Sequence, residues 1–344
     1  MKRELLDDLQ EACNLITNEY QKETGNQQTK ICVLQLLKEK YPDIPLKTDL
    51  VRQAAGIYDE YEGNEDYIHI PDLNQMLHLM QQYPVLGAID IETGELEGVL
   101  ILKYHENFPD EEVDPCYPKK GAKYFDLKGT MVKQNKNVLH TGIGNNLDAT
   151  ALLGLHKYAS KHPDENIEAR GVIDCTNLQS LYMLSKANRK VQKYIGQDKR
   201  LPALLEGIYT IRDENGHLVE APTYVFSISL IPEDLEQTSE TTFTFERDQS
   251  KPKHQQYEAL LDTILEKIKV DKTCTVTHTK DEDTGELTSY IHVDNLGINM
   301  EDIKLERNGA HEVGNNRVPR GDVSKFVGPM PDFTVNIEED IDDR

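Results

Sequence analysis

Apolar and polar positions alternate first with helical spacing: Leu5, Leu6, Leu9, Cys13, Ile16 and Tyr20 fall on one face of a helix. The runs "ICVLQLLKEKY" and "TDLVRQAAGIYDEY" continue that period, with Gly, Pro and Asn between them. They predict a helical segment over residues 1–65.

The pattern then changes. "YIHI" alternates, Pro71 and Asp72 suit the start of a helix over "PDLNQMLHLMQQY", and "PVLGAIDIETGELEGVLILKYH" places two apolar runs around Glu92-Thr93-Gly94-Glu95, a β-hairpin signature. A proline-broken acidic loop, "HENFPDEEVDPCYPKKG", leads to a strand at "KYFDLKGTMV". Next come a glycine turn and helix, "VLHTGIGNNLDATALLGLHKYA", and a strand, "ARGVIDCT"; strand, turn, helix, strand is a β-α-β unit. A second helix, "NLQSLYMLSKANRKV", and two strands around Asp213-Glu214-Asn215-Gly216 close a domain over residues 66–232.

"PEDLEQTSETT" has a linker's composition. Beyond it, Tyr257, Leu260, Leu261, Ile264, Leu265 and Ile268 mark an amphipathic helix, and "TCTVTHTK" and "LTSYIHVD" around "DEDTGE" a hairpin. Residues 240–344 are therefore an α+β accessory region whose acidic tail, rich in Gly, Asn and Pro before it ends "NIEEDIDDR", is expected to be peripheral.

Composition narrows the partners. In 344 residues, 61 acids against 38 Lys and Arg leave a net charge of −23, which repels nucleic acid and anionic membranes and suits a cationic amine or a basic protein. The five cysteines are scattered without CxxC spacing, so neither a disulfide framework nor a metal site is expected. With early acids in place of a signal peptide and no apolar run of membrane-spanning length, the expected location is the cytoplasm. A homo-oligomer is left open.

The glycine turn is the first candidate for chemistry. A helix N-terminus leaves its first N–H groups unpaired at the positive end of the dipole, and Gly142 and Gly144 would let a phosphate approach the amides of His140, Thr141, Ile143 and Asn145 as well as their own. The competing reading is a plain tight turn. No Gly-Lys-Ser/Thr follows, which excludes a P-loop, and the missing third glycine and the preceding hairpin argue against a dinucleotide fold. His140 is either an anion partner or polar surface. Cys175, with no histidine at a readable spacing, is either a nucleophile or a buried thiol.

The order of these elements resembles the GNAT superfamily of acyl-CoA-dependent N-acyltransferases: hairpin, strand, Arg/Gln-x-x-Gly-x-Gly/Ala turn, helix, strand, then Asn-x-x-Ala-x-x-Leu-Tyr. "LHTGIGNNL" carries the turn, "VIDCTNLQSLYMLSKANRKV" resembles the second motif through Asn177, Ser180 and Lys186, and "GIYTIRDENGHLVEAPTYVFSISL" looks like the closing hairpin. The resemblance spans residues 66–232. It implies an α/β (α+β) fold with a mixed central sheet and flanking helices, and acetyl-CoA as cosubstrate without a metal.

It further implies direct transfer to a primary amine of a small molecule or protein. The Val132 amide would steady the oxyanion, Asp126 or Glu106 would take the amine's proton, Asn177 and Ser180 would line the cofactor arm, and Tyr182 is the tyrosine offered as acid. For Asp126 and Glu106 the competing reading is a solvated or capping acid. Leu139 stands where the family has Arg or Gln, and Leu184 where it has tyrosine. The alternative is thus a catalytically inactive CoA-sensing or protein-interaction module.

Overall fold

The computed structural model describes residues 3–46, 49–61, 71–106, 121–134, 141–175, 177–235, 241–244, 248, 250–268, 276–282, 284–293, 300, 303–307 and 310–311. Along the chain run α1 (Arg3–Thr24), β1 (Thr29–Val33), a short 3-10 turn at Leu34–Leu36, α2 (Leu37–Lys40), α3 (Leu50–Asp59), α4 (Leu73–Gln82), β2 (Val85–Asp90), β3 (Leu96–Glu106), β4 (Ala122–Val132), α5 (Ile143–Lys161), β5 (Asn166–Asp174) and α6 (Leu178–Ile195). There follow β6 (Lys199–Arg200), β7 (Ala203–Arg212), β8 (Thr223–Ser229), β9 (Glu233–Asp234), β10 (Thr241–Thr244), α7 (Lys253–Lys267), β11 (Val276–Lys280), β12 (Leu287–His292), β13 (Ile303–Arg307) and β14 (Ala310–His311).

The fold is mixed α/β. Among the described residues the main sheet has nine strands in the order β1-β2-β3-β4-β5-β8-β7-β12-β11, and within it β4 and β5 run parallel while the other neighbours are antiparallel. The parallel pair follows from the α5 crossover, because parallel strands need a long connection. The hairpin, strand, glycine turn, helix, strand, helix and closing hairpin expected from the resemblance are all present in that order.

Helices cover both faces. Leu100, Leu102 and Phe125 join Leu6, Leu9 and Leu147 in the core that includes α1, α5 and α6, whereas Val99, Ile101 and Met131 join Val51, Ala54 and Met76 of α3 and α4 on the other face. Burial on both faces explains why "GVLILK" is almost uninterrupted in apolar character.

The local signals at element ends hold. Asp72 caps α4 in a capping box with Gln75, and Gly94 and Gly216 take positive φ in the two predicted turns. The "helical" reading of "ICVLQLLKEKY" needs correction, since Ile31–Val33 belong to β1 and pair with β2. Ile31 and Val33 enter one core and Cys32 the other, so the run carries no period that distinguishes strand from helix. At the other end the predicted β11–β12 hairpin pairs with β7. The sheet therefore crosses both boundaries drawn from the sequence, at 65/66 and near 232–240. "YIHI", the acidic loop from 107 and the tail beyond 311 lie outside the described residues.

Candidate functional site

The sheet forks between its two parallel strands. Pairing of β4 with β5 runs from Ala122↔Asn166 to Asp126↔Arg170 and stops there. Past that rung β4 stays with β3 as far as Val132↔Gly98, while β5 stays with β8 as far as Asp174↔Thr223. A bulge accompanies the parting: Lys128 faces Ile101 and Met131 faces Val99, so Gly129 and Thr130 together oppose Leu100. Gly129 has φ +50°, which favours glycine, and a bulge of this kind adds local twist.

The edge of β4 in this fork is occupied. The Lys133 amide donates to the Glu97 carbonyl at 2.9 Å, so by antiparallel alternation the N–H and C=O of Val132 point away from β3. The Tyr61 hydroxyl meets both, donating to the carbonyl at 2.8 Å and accepting from the amide at 3.3 Å. Tyr58 donates to the Gly129 carbonyl at 3.1 Å, and Glu60 accepts from the Gln134 amide at 2.5 Å. The end of α3 and the two residues after it thus line the open half of β4. Burial raises the Tyr58 phenol above its usual range, which keeps it a neutral donor.

The start of α5 closes the same region from the other face. Gly142 is its N-cap at φ +87°, in the left-handed region, and supplies no side-chain cap, so the first-turn amides of Ile143, Gly144 and Asn145 have no acceptor from it. At Gly144 a Cβ would lie 2.6 Å from Met183 Cε and 3.5 Å from Val132 Cγ2; glycine here lets α5, β4 and α6 meet. Ile143 is buried beside Gly98, and Thr141 and Asn145 are half-buried.

A polar chain stands behind the turn. Asn146 Nδ2 donates to the Gly142 carbonyl at 2.7 Å, and its Oδ1 accepts from Lys190 Nζ at 2.7 Å. Lys190 also donates to Glu23 at 2.8 Å. These bonds hold the left-handed turn through α6 and α1, and put a buried ammonium close behind the positive end of the helix. The arrangement offers backbone donors to an anion.

The other predicted residues divide. Asp126 is half-buried at the last rung of the fork, between Lys103 of β3 and Arg170 of β5. Glu106 sits nearer the start of β4, where it pairs with Lys123 and accepts from the Tyr104 hydroxyl at 2.6 Å. Lys123 is about 30 Å along β4 from Val132, against about 20 Å for Asp126, so Glu106 lies farther from the open half of the fork. Tyr182 is 52 % exposed with Lys186 Nζ 4.4 Å from its ring centroid, while Leu184 is buried. Residues two apart on a helix face different ways.

Asn177 caps α6, its side chain accepting from the Ser180 amide at 3.2 Å, which gives both residues a local role beside the end of β5. Cys175 is buried, and that burial pushes its thiol well above the ordinary range, which disfavours the reactive thiolate. His140 and Leu139 lie outside the described residues.

Three features escaped the sequence reading. Tyr58 and Tyr61 are the first. The second is Arg170, 1 % exposed, bonded to Glu206 at 2.9 Å and lying 5.5 Å over the Tyr124 ring, with Ser227 donating to Glu206 at 2.5 Å. The third is Asp148 of α5, buried and bonded to the Thr130 hydroxyl of the bulge. Among the described residues no group of three or more His, Cys, Asp or Glu could hold a metal ion, and no helix is long and apolar enough to cross a membrane.

No protein-family model matches the chain, and no curated protein matches its sequence. Solved structures do align with it. A ribosomal-protein-S5-alanine acetyltransferase from Vibrio fischeri is 10 % identical at a TM-score of 0.30, over 59 % of this chain and 93 % of that one. A GNAT-family acetyltransferase from Bacillus anthracis is 15 % identical at a TM-score of 0.30, over 54 % of this chain and 93 % of that one.

Proposed function

We propose that the chain is an N-acyltransferase that moves an acyl group from acetyl-CoA, or a related acyl-CoA, to a primary amine of a small molecule or protein. The observation that carries this reading is the meeting of Val132 and Gly144, 3.5 Å between the valine methyl and the position of an added Cβ. It joins an anion-accepting helix start to the open edge of a forked parallel pair.

Each part then has a task. The amides of Ile143, Gly144 and Asn145, with Gly142 leaving space and Lys190 behind, would take the pyrophosphate. The edge of β4 would take the extended arm, and the Val132 amide the acyl oxygen once the Tyr61 hydroxyl gives way. Phe125 faces the core under α5, so Asp126, next along the strand, faces the opposite side of the sheet. There its carboxylate would accept the proton of an incoming amine. The thioester supplies an activated carbonyl; the protein's part is orientation and proton transfer. The acidic composition favours a cationic amine or a basic protein as acceptor.

A second reading is a non-catalytic CoA-binding module, and the Tyr61 contact favours it, because the amide that would face the acyl oxygen already has a partner. Calorimetry with acetyl-CoA, followed by thiol-release assays across a panel of primary amines, separates the two. Binding with turnover supports the transferase, binding without turnover the module, and no binding at millimolar ligand removes both. A Gly142→Asp variant, whose carboxylate would oppose a phosphate at a residue type that tolerates left-handed φ, should keep its fold and lose CoA.

A further inference from the structure

Asp148 lies one turn beyond Gly144, on the face of α5 turned toward the fork, within a run where Leu147, Ala149, Thr150 and Ala151 are all buried. The residue keeps 9 % of its surface. Its hydrogen-bond partner among the described residues is the hydroxyl of Thr130, in the bulge two positions before Val132.

Among the described residues no cation offsets this carboxyl. On the α5-facing side, β3 contributes Gly98 and Leu100 and β5 contributes Ala169 and Ile173, all uncharged. Lys190 of α6, behind the α5 turn, is engaged by Asn146 and by Glu23 of α1. Burial favours the protonated form of this carboxyl, and the Thr130 hydroxyl, which donates to Oδ1, pulls the other way. Burial pushes Asp148 up to about 6, against a smaller opposing pull from the Thr130 hydrogen bond.

The fork therefore has carboxyls on its two faces in different surroundings. Asp126 is half-buried at the rung with Arg170, and Asp148 is enclosed under α5. A pair of acids in unlike environments divides proton removal from proton delivery. The α6 residues nearest the fork supply no acid of their own on this side: Met183 meets Gly144, Leu184 is buried and apolar, and Tyr182 faces outward.

We propose that Asp148, acting through the Thr130 hydroxyl, delivers the proton taken by the sulfur that leaves when the thioester is cleaved at the fork. The assignment rests on the acyltransferase reading above. As the amine nitrogen bonds to the carbonyl carbon, the carbon–sulfur bond breaks with its electron pair going to sulfur. The Thr130 hydroxyl, which donates to Asp148 Oδ1 in the ligand-free protein, would turn its proton to that sulfur and receive one from the protonated Asp148 carboxyl. The surplus proton on nitrogen passes through water to Asp126, about 13 Å along β4 from Thr130. Solvent then returns a proton to Asp148 and takes one from Asp126, so the cycle closes without an oxidant or reductant.

Leaving-group dependence tests this. With acetyl-CoA, Asp148→Asn and Thr130→Val should each lose about 100-fold in kcat, at unchanged affinity for CoA, and the fall of wild-type kcat toward alkaline pH should vanish in Asp148→Asn. With an acetyl aryl thioester, whose acidic thiol departs unprotonated, both variants should match the wild type. Equal losses with both donors, or an unchanged pH profile, would overturn the proposal while leaving the transferase reading intact. A wild type that binds CoA yet releases thiol with no amine would overturn both.

Discussion

The Tyr61 hydroxyl holds both main-chain polar atoms of Val132 on the open edge of β4, and does so from 71 positions earlier in the chain. Its oxygen accepts from the amide that, in the transferase reading, faces the acyl oxygen. Tyr61→Phe removes both bonds and leaves the half-buried Val132 amide short of a partner, while the carbonyl keeps the Gln134 side-chain amide at 3.1 Å, so the ligand-free protein should lose about 1 kcal/mol of stability. The same change frees the edge, and acetyl-CoA should bind several-fold more tightly. Urea unfolding and calorimetry on one preparation check the two effects together; lowered stability with unaltered affinity would make Tyr61 a structural strut and nothing more.

Asp126 and Glu106 are both candidates for the proton acceptor, and the register places them at different points along β4. Asp126 stands at the rung where β4 leaves β5, whereas Glu106 is tied to Tyr104 near the start of β4. Asp126→Asn should lower kcat by about 10²- to 10⁴-fold with little change in KM. Glu106→Gln and Tyr182→Phe should leave kcat near the wild-type value. A large loss in Glu106→Gln would place the amine at the other end of the hairpin and remove the fork from the mechanism.

Lys190 reaches the glycine turn through one intermediary, Asn146, which bonds both the ammonium and the Gly142 carbonyl. Lys190→Met keeps the buried stem and removes the charge and the donor. CoA affinity should fall about tenfold, and the salt dependence of binding should flatten, because part of the positive potential behind the turn is gone. Lys190→Arg should recover part of both. Affinity and salt slope are read by titration at two ionic strengths, and a variant that binds as the wild type does would detach this chain of bonds from the site.

Much of this site was legible because its signals are local. Gly142 and Gly144 announce the turn and helix within a few residues, and the apolar runs on either side of Thr93-Gly94 announce the hairpin. β1 was hidden because Ile31, Cys32 and Val33 are buried against two different cores, which erases the alternation that marks a strand. Tyr61 and Asp148 were hidden for another reason. Their partners are Val132 and Thr130, brought to them by sheet pairing and helix packing, and no spacing within either segment encodes that. Tyr182 shows the limit of motif matching: two residues of offset on a helix moved it from the fork to solvent.

Asp148 also gives the fold a pH dependence of definite sign. Its carboxyl titrates near 6 in the native protein against an ordinary 3.8, so between those values the native state binds a proton that the unfolded chain does not. Stability from this group is complete below the ordinary value and is lost as pH rises through about 6, a change of roughly 3 kcal/mol at most. Asp148→Asn cannot titrate and keeps an amide that can donate to or accept from Thr130. The variant should gain on the wild type as pH is raised from about 4 to about 7, with the difference levelling off above the native value. Urea midpoints of both proteins across that range measure it. A difference that stays flat would mean that Asp148 titrates as an ordinary carboxyl, which would also withdraw the proton it is asked to deliver.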